Sequence, residues 1–317
     1  MRYIFLLITV SIFYTFSFAQ QLQSGEGFIQ VEGGRIWYKV MGKGNGIPLL
    51  HIHGGPGSNS CRIMEGYALL GNDRPVIMYD QLGSGKSDRP TDTALWKTER
   101  FVDEIVAIRK ALGLKKLHII GHSWGGTVLA EYMITKKPAG IASVIFSGPL
   151  ISTTKWMEDA KILLSKMPQY LQDTIARYEE KRDYKAPAYL AATDSFYARY
   201  LTVKKSFDTT STICEGFLPF NEDVYNYMWG PTEFTAVGTL KNYDRTADLH
   251  KIKVPVIFIA GEFDEARPET MYYFQKLVPG STVEIIKDAG HMTILDQPMV
   301  YTNAIRKFLN QVESKKK

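Results

Sequence analysis

The sequence predicts an α/β fold: a mostly parallel sheet flanked by helices, with a helical segment inserted between two of its strands. Three observations lead there. Short apolar runs bounded by glycine and proline alternate with stretches of helical spacing. The alternation stops near Pro149 and resumes after about Asp248. The junction "GHSWGG", Gly121 to Gly126, sits between one such run and one such helix.

The elements follow in order. "EGFIQVEGGRIWYKVMG" reads as a hairpin turning at Gly33-Gly34. "IPLLHIHG" and "RPVIMYDQ" are buried strands. In "TERFVDEIVAIRKALGL", Phe101, Val102, Ile105, Ile108 and Leu112 recur at helical spacing, and Gly113 stops the helix. "KKLHIIGHS" is the next strand, "WGGTVLAEYMITKKP" a helix ended by Pro138, and "IASVIFSG" a strand. The following hundred or so residues carry helical spacing, as in "AKILLSKM" and "YLQDTIARYEEK", and no buried strand pattern. "KIKVPVIFIAG" restores the rhythm, with helix "ETMYYFQKLV", strand "STVEIIKDAGH" and helix "MVYTNAIRKFLNQVE" closing it. The expected layout is a core of residues 20–148 and 249–317, with residues 149–248 as a helical cap over the carboxyl ends of the strands, where open α/β sheets bind ligands.

The chain's 317 residues, 45% hydrophobic and 22% charged, suit a globular protein with a sizeable core. The formal net charge of +5 comes with no dense basic stripe, so nucleic-acid binding has no support. The opening "MRYIFLLITVSIFYTFSFAQQ" has one basic residue, an apolar stretch, and small residues at Ser17 and Ala19. It reads as a signal peptide over residues 1–19. An uncleaved anchor is the alternative, but the stretch is short for a span and already contains polar residues. The expectation is an exported protein, periplasmic or secreted, free of the membrane once processed. Cys61 and Cys214 could pair in such a compartment or stand as small packed side chains, and the sequence leaves both open. No Cys/His cluster has metal-ligand spacing, and no metal or organic cofactor is expected.

"GHSWGG" fits the G-x-S-x-G nucleophile elbow. The turn pushes the Ser123 hydroxyl out at a helix N-terminus, where free N–H groups and the dipole favour a developing anion. The plain alternative is a tight turn with an incidental serine. A serine needs a base, and in the α/β-hydrolase order Ser, Asp or Glu, His, the base is His291 in the loop after the last strand. Asp264, just past the penultimate strand, is the acid that would fix the imidazole tautomer; Glu262, Glu265 and Asp288 are its competitors. His53, His118, His122 and His250 read as loop-shaping, packed or surface residues. The oxyanion donors would be the Trp124 N–H and that of Gly55 in "HGGPG", with Gly54 the alternative. "YDQLGSGKSD" lacks the spacing of a phosphate loop and reads as structural.

Taken together, "HGGPG", "YDQLGSGKSD", "GHSWGG", "WGPTEFTAVGTL", "GEFDEARPE" and "GHMTILDQP" resemble the proline iminopeptidases (prolyl aminopeptidases), serine peptidases of the α/β-hydrolase fold that include the tricorn-interacting aminopeptidase. The resemblance covers essentially the whole mature chain. Thr232 departs from it, standing where several members have Asn. The resemblance implies that a cap closes over the triad and that Glu233 and Glu265 bind the substrate's free α-amino group. Read without it, Glu233 is a cap residue paired with a Lys or Arg. Charge-assisted hydrogen bonds to an ammonium are strong in a water-poor pocket, so the implied role is chemically sound.

The expected protein is an exported serine aminopeptidase that releases an N-terminal residue, preferably proline, from short peptides through an acyl-enzyme. An esterase, lactonase or amino-acid amidase on the same fold is the alternative, and a non-enzymatic capped-pocket binding protein a remoter one.

Overall fold

The computed structural model describes residues 22–204 and 214–315. The signal-peptide reading of residues 1–19 therefore lies outside the described residues. The sheet contains β1 (Gly25–Val31), β2 (Gly34–Met41), β3 (Leu49–Ile52), β4 (Val76–Tyr79), β5 (Leu117–His122), β6 (Ile141–Ser147), β7 (Val256–Gly261) and β8 (Thr282–Ile286). Their spatial order is β1-β2-β4-β3-β5-β6-β7-β8. β1 and β2 form the expected hairpin, and β2 pairs antiparallel with β4. All pairings from β4 to β8 are parallel. The order reverses at β3, so the chain builds outward in both directions from the middle of the sheet.

The helices are α1 (Met64–Ala68), α2 (Thr98–Ala111), α3 (Trp124–Glu131), α4 (Thr153–Leu164), α5 (Gln169–Lys181), α6 (Pro187–Tyr200), α7 (Glu222–Met228), α8 (Pro268–Leu277), α9 (Thr293–Asp296) and α10 (Pro298–Ser314). Alternate residues of the central strands enter two different cores. Leu50, Ile77, Ile119 and Phe258 join residues of α2, α3 and α8. Leu49, Met78, Ile120 and Ile259 join residues of α1 and α10. Period-two alternation with both faces covered is why these strands read as unbroken apolar runs.

Helices α4 to α7 lie between β6 and β7; α4, α5 and α6 carry a third core of their own, centred on Leu163, Ile175, Tyr189, Phe196 and Tyr200, while Val224 and Met228 of α7 join the first core. Ser152 caps α4 by accepting the Lys155 N–H at 3.3 Å, and Pro187 opens α6 with its φ already set. Cys61, in a short turn after the β3 loop, is bonded to Cys214 between α6 and α7. The cysteine question thus resolves as a disulfide that ties the inserted helices to the core. Among the described residues no helix is long and apolar enough to cross a membrane.

Candidate active site

Ser123 stands between the last residue of β5 and the first of α3, with φ 54° and ψ −124°. A non-glycine residue at positive φ is strained and persists only where its surroundings fix it. Here the Ser123 N–H donates to Ser147 O at 3.0 Å, and its carbonyl accepts from Gly126 at 2.8 Å and Leu150 at 3.1 Å. The flanking glycines are steric requirements. A Cβ on Gly121 would lie 2.3 Å from Gly125 O, and one on Gly125 would lie 2.2 Å from Ile52 O. The hydroxyl is thereby presented at a large cavity, about 1420 Å³, whose lining includes Ser123, Gly54, Gly55, His291, Glu233 and Glu265.

The loop after β3 presses on the serine: a Cβ on Gly54 would come within 3.0 Å of Ser123 Cβ. Gly55 has φ +117° and precedes a cis peptide to Pro56. Among the described residues, neither the Gly55 N–H nor the Trp124 N–H donates to a backbone carbonyl. The first N–H groups of a helix have no partner within it. The "YDQLGSGKSD" segment braces this region. Gln81 donates its side-chain amide to His53 O at 2.8 Å and accepts the Trp124 indole N–H at 2.8 Å. Asp80 accepts from Ser60 and from the Lys86 N–H.

His291 follows β8, and Asp264 follows β7. Asp264 Oδ1 accepts the His291 Nδ1–H at 2.7 Å and the Ala266 N–H at 2.8 Å. Both side chains are almost wholly buried. Gly148 (φ +48°) leaves room for them, since a Cβ there would sit 2.8 Å from His291 Nδ1 and 2.9 Å from Asp264 Oδ2. With Nδ1 protonated, Nε2 is left as the reactive nitrogen. It lies 3.6 Å from Glu265 Oε1. Burial disfavours the imidazolium, but Asp264, Glu265 and Glu233 outweigh it and push His291 up to about 9. His122 Nε2–H donates to His291 O at 3.0 Å.

Glu233 sits on the Thr232–Thr235 turn between α7 and β7. The Tyr225 hydroxyl donates to its Oε1, and the Trp156 indole N–H to its Oε2 at 3.2 Å. Trp156 also stands edge-on to His291, ring centroids 5.5 Å apart. Glu265 is buried, and among the described residues its Oε2 has no hydrogen-bond partner. Burial, and then the nearby Glu233 charge, raises the Glu265 carboxyl well above its usual range; burial raises Glu233 too. Among the described residues no Lys or Arg forms an ion pair with either carboxylate. Two buried acids, one raised further by the other's charge and paired only with His291 among the described residues, leave an acceptor over.

The structure therefore brings together Ser123, Gly55, Trp124, Asp264, His291, Glu233 and Glu265. Asp288 is exposed, with φ 53° and its N–H on Glu262 Oε2. His118 is fixed by Ser143 and Glu313, and His250 is exposed. Sequence reasoning missed Tyr225 and Trp156 as donors to Glu233. Thr232, the departure noted above, donates to Glu179 Oε1 at 2.9 Å, and Tyr189 and Thr235 donate to the same carboxylate. Among the described residues no group of His, Cys, Asp and Glu is arranged to hold a metal.

Residues 47–298 match the family model described as the alpha/beta hydrolase fold. A proline iminopeptidase of Heyndrickxia coagulans is 44% identical over 289 residues, covering 90% of this chain and 99% of that protein. One from Clostridium botulinum is 32% identical over 290 residues, covering 90% and 98%. Among solved structures, the proline iminopeptidase of Mycobacterium smegmatis superimposes with a TM-score of 0.84 at 29% identity, covering 92% of this chain and all of that one.

Proposed function

The chain belongs to the proline iminopeptidase family of α/β-hydrolase serine peptidases, and from that premise we propose that it releases an N-terminal residue, preferably proline, from short peptides. The observation that carries this reading is the buried Glu233–Glu265 pair beside Ser123 and His291, with no Lys or Arg paired to it and one Glu265 oxygen without a hydrogen-bond partner among the described residues.

A peptide's ammonium seats between the two carboxylates, which sets the first carbonyl against Ser123. His291 Nε2 takes the serine proton as the hydroxyl attacks. Asp264, on the far nitrogen, holds the tautomer and stabilises the imidazolium. The N–H groups of Trp124 and Gly55 receive the negative charge that develops on the carbonyl oxygen. His291 then passes the proton to the leaving amine. Water, deprotonated by His291, hydrolyses the acyl-enzyme and frees the first residue. A blocked amino terminus, or a bond inside a chain, brings no charge to the pair and leaves two desolvated acids uncompensated. An uncharged ester needs only the Ser123 side of the site, so ester cleavage is a side activity that does not use the glutamates.

Export is part of the proposal. It rests on the signal-like first 19 residues and on the Cys61–Cys214 bond, which suits an oxidising compartment.

The test is a panel of aminoacyl-arylamides with proline, alanine and leucine, and N-acetylprolyl-arylamide as control. Prolyl-arylamide should be cleaved fastest and the acetylated compound at least about 100-fold more slowly, the value of a charge-assisted contact or two. Equal cleavage of free and acetylated substrates would overturn the amine-binding role.

A further inference from the structure

One buried charge near the site takes no part in the chemistry above. Asp296, in the "LDQP" stretch that closes α9, is fully buried. Its Oδ1 accepts the Thr202 hydroxyl at 2.7 Å and the Lys204 N–H at 3.1 Å. Its Oδ2 accepts the Val203 N–H at 3.1 Å and the Gly290 N–H at 2.8 Å. Three of these donors belong to the segment leaving α6, the cap's third helix. The fourth is the N–H of Gly290, the residue immediately before His291.

The cap exit also touches the His291 peptide directly. The His291 N–H donates to Tyr200 O at 2.8 Å, and the Met292 N–H to Leu201 O at 2.7 Å. A Cβ on Gly290 would lie 2.9 Å from Tyr200 O, so the two backbones are in contact. Tyr200 is itself part of the cap core, packed on Phe196 with ring centroids 4.8 Å apart. The loop that carries the base is thus held by the cap as well as by the sheet.

The geometry points to Asp296 as a positioning residue that clamps the cap exit to the His291 loop, so that the alignment of the base on Ser123 depends on the cap being seated. A carboxylate suits this task because four donors converge on it and it can accept from all of them. An asparagine has one acceptor oxygen, and its NH₂ would face backbone N–H groups. With the oxygen turned to Gly290 and Val203, the bond from Lys204 is lost and the Thr202 hydroxyl must reverse. The clamp then loosens on the cap side, and small displacements of a catalytic group carry large costs in rate.

This inference rests on reading His291 as the general base, so the experiment uses two readouts. Ser123 labelling by a fluorophosphonate reports on the base without any substrate amine; prolyl-arylamide turnover reports on the whole reaction. Asp296→Asn should slow labelling and lower kcat at least about 10-fold while KM stays within about 3-fold, because the amine site is untouched. Thr202→Val, which removes one cap-side donor, should shift both rates in the same direction by a smaller factor. If Asp296→Asn does not fold, Thr202→Val decides alone. Wild-type labelling rates in both folded variants, with only a lower melting temperature, would overturn the clamp. So would a change confined to KM. A wild-type protein that labels at Ser123 but leaves prolyl-arylamide intact would defeat the aminopeptidase reading, while the labelling rates would still judge Asp296.

Discussion

Asp264 and Glu265 are adjacent in sequence and have opposite surroundings. Asp264 has its partners in the chain: His291 Nδ1–H, and the N–H groups of Ala266 and Gly261. Glu265 has one oxygen 3.6 Å from His291 Nε2 and the other without a partner among the described residues. In the resting site Glu265 therefore holds the nitrogen that Ser123 needs, and a substrate ammonium would draw it away. This gives a pH prediction. His291 loses its proton only near pH 9 in the empty site, above the ordinary 6.5, so the rate of fluorophosphonate labelling at Ser123 should climb with pH toward that value. Glu265→Gln should move the midpoint down; a wild-type midpoint at or below 6.5 would contradict the arrangement. The linked stability has the opposite sense. The folded state binds this proton more tightly than the unfolded chain, so the contribution is complete below about pH 6.5 and is lost as pH rises through about 9. Ser123 was legible in the sequence because its signal is local: a strand, a strained turn and a helix within a few residues. Glu233 was not legible from its neighbours alone, because the partner proposed for it is the substrate's amine, which the chain does not contain. Only the resemblance singled it out.

At the scale of elements, every named site residue but Glu233 sits at the carboxyl end of a strand: β3 for Gly55, β5 for Ser123 and Trp124, β7 for Asp264 and Glu265, β8 for His291. β3, β5 and β7 were readable because burial on both faces makes them unbroken apolar runs, while the edge strand β8 is half exposed. Helices α1 and α9, five and four residues long, are too short to show a period, and the reading passed over them. The disulfide was equally out of reach, since 153 residues separate its cysteines and only the folded chain brings them together. Both cysteines lie on the cavity wall, so the bond fixes its rim between the oxyanion loop and the segment before α7. Replacing Cys61 and Cys214 together by serine should cost about 2–5 kcal/mol of stability. Amide exchange should rise around residues 214–228 and stay slow in β5 and β7. Unchanged exchange in the cap segment would mean that the tether does not restrain it.

At the scale of the molecule, a sheet built outward from β3 places the nucleophile centrally, and the inserted helices bring Glu233 and Trp156 over it. The layers divide the labour. The sheet's loops supply the proposed acyl-transfer chemistry, while the proposed recognition of the amine would be shared between a cap glutamate and a core glutamate. On that proposal, substrate choice depends on both layers meeting. The measurement that tests this most directly is kcat/KM for prolyl-arylamide and for an uncharged aryl ester, in the wild type and in Glu233→Gln, with Asp264→Asn as reference. Asp264→Asn should depress both substrates by about 10⁴-fold. Glu233→Gln should depress the arylamide by about 10- to 100-fold, the worth of one charge-assisted hydrogen bond, and leave the ester within about 3-fold of wild type. An equal loss on both substrates in Glu233→Gln would contradict the account.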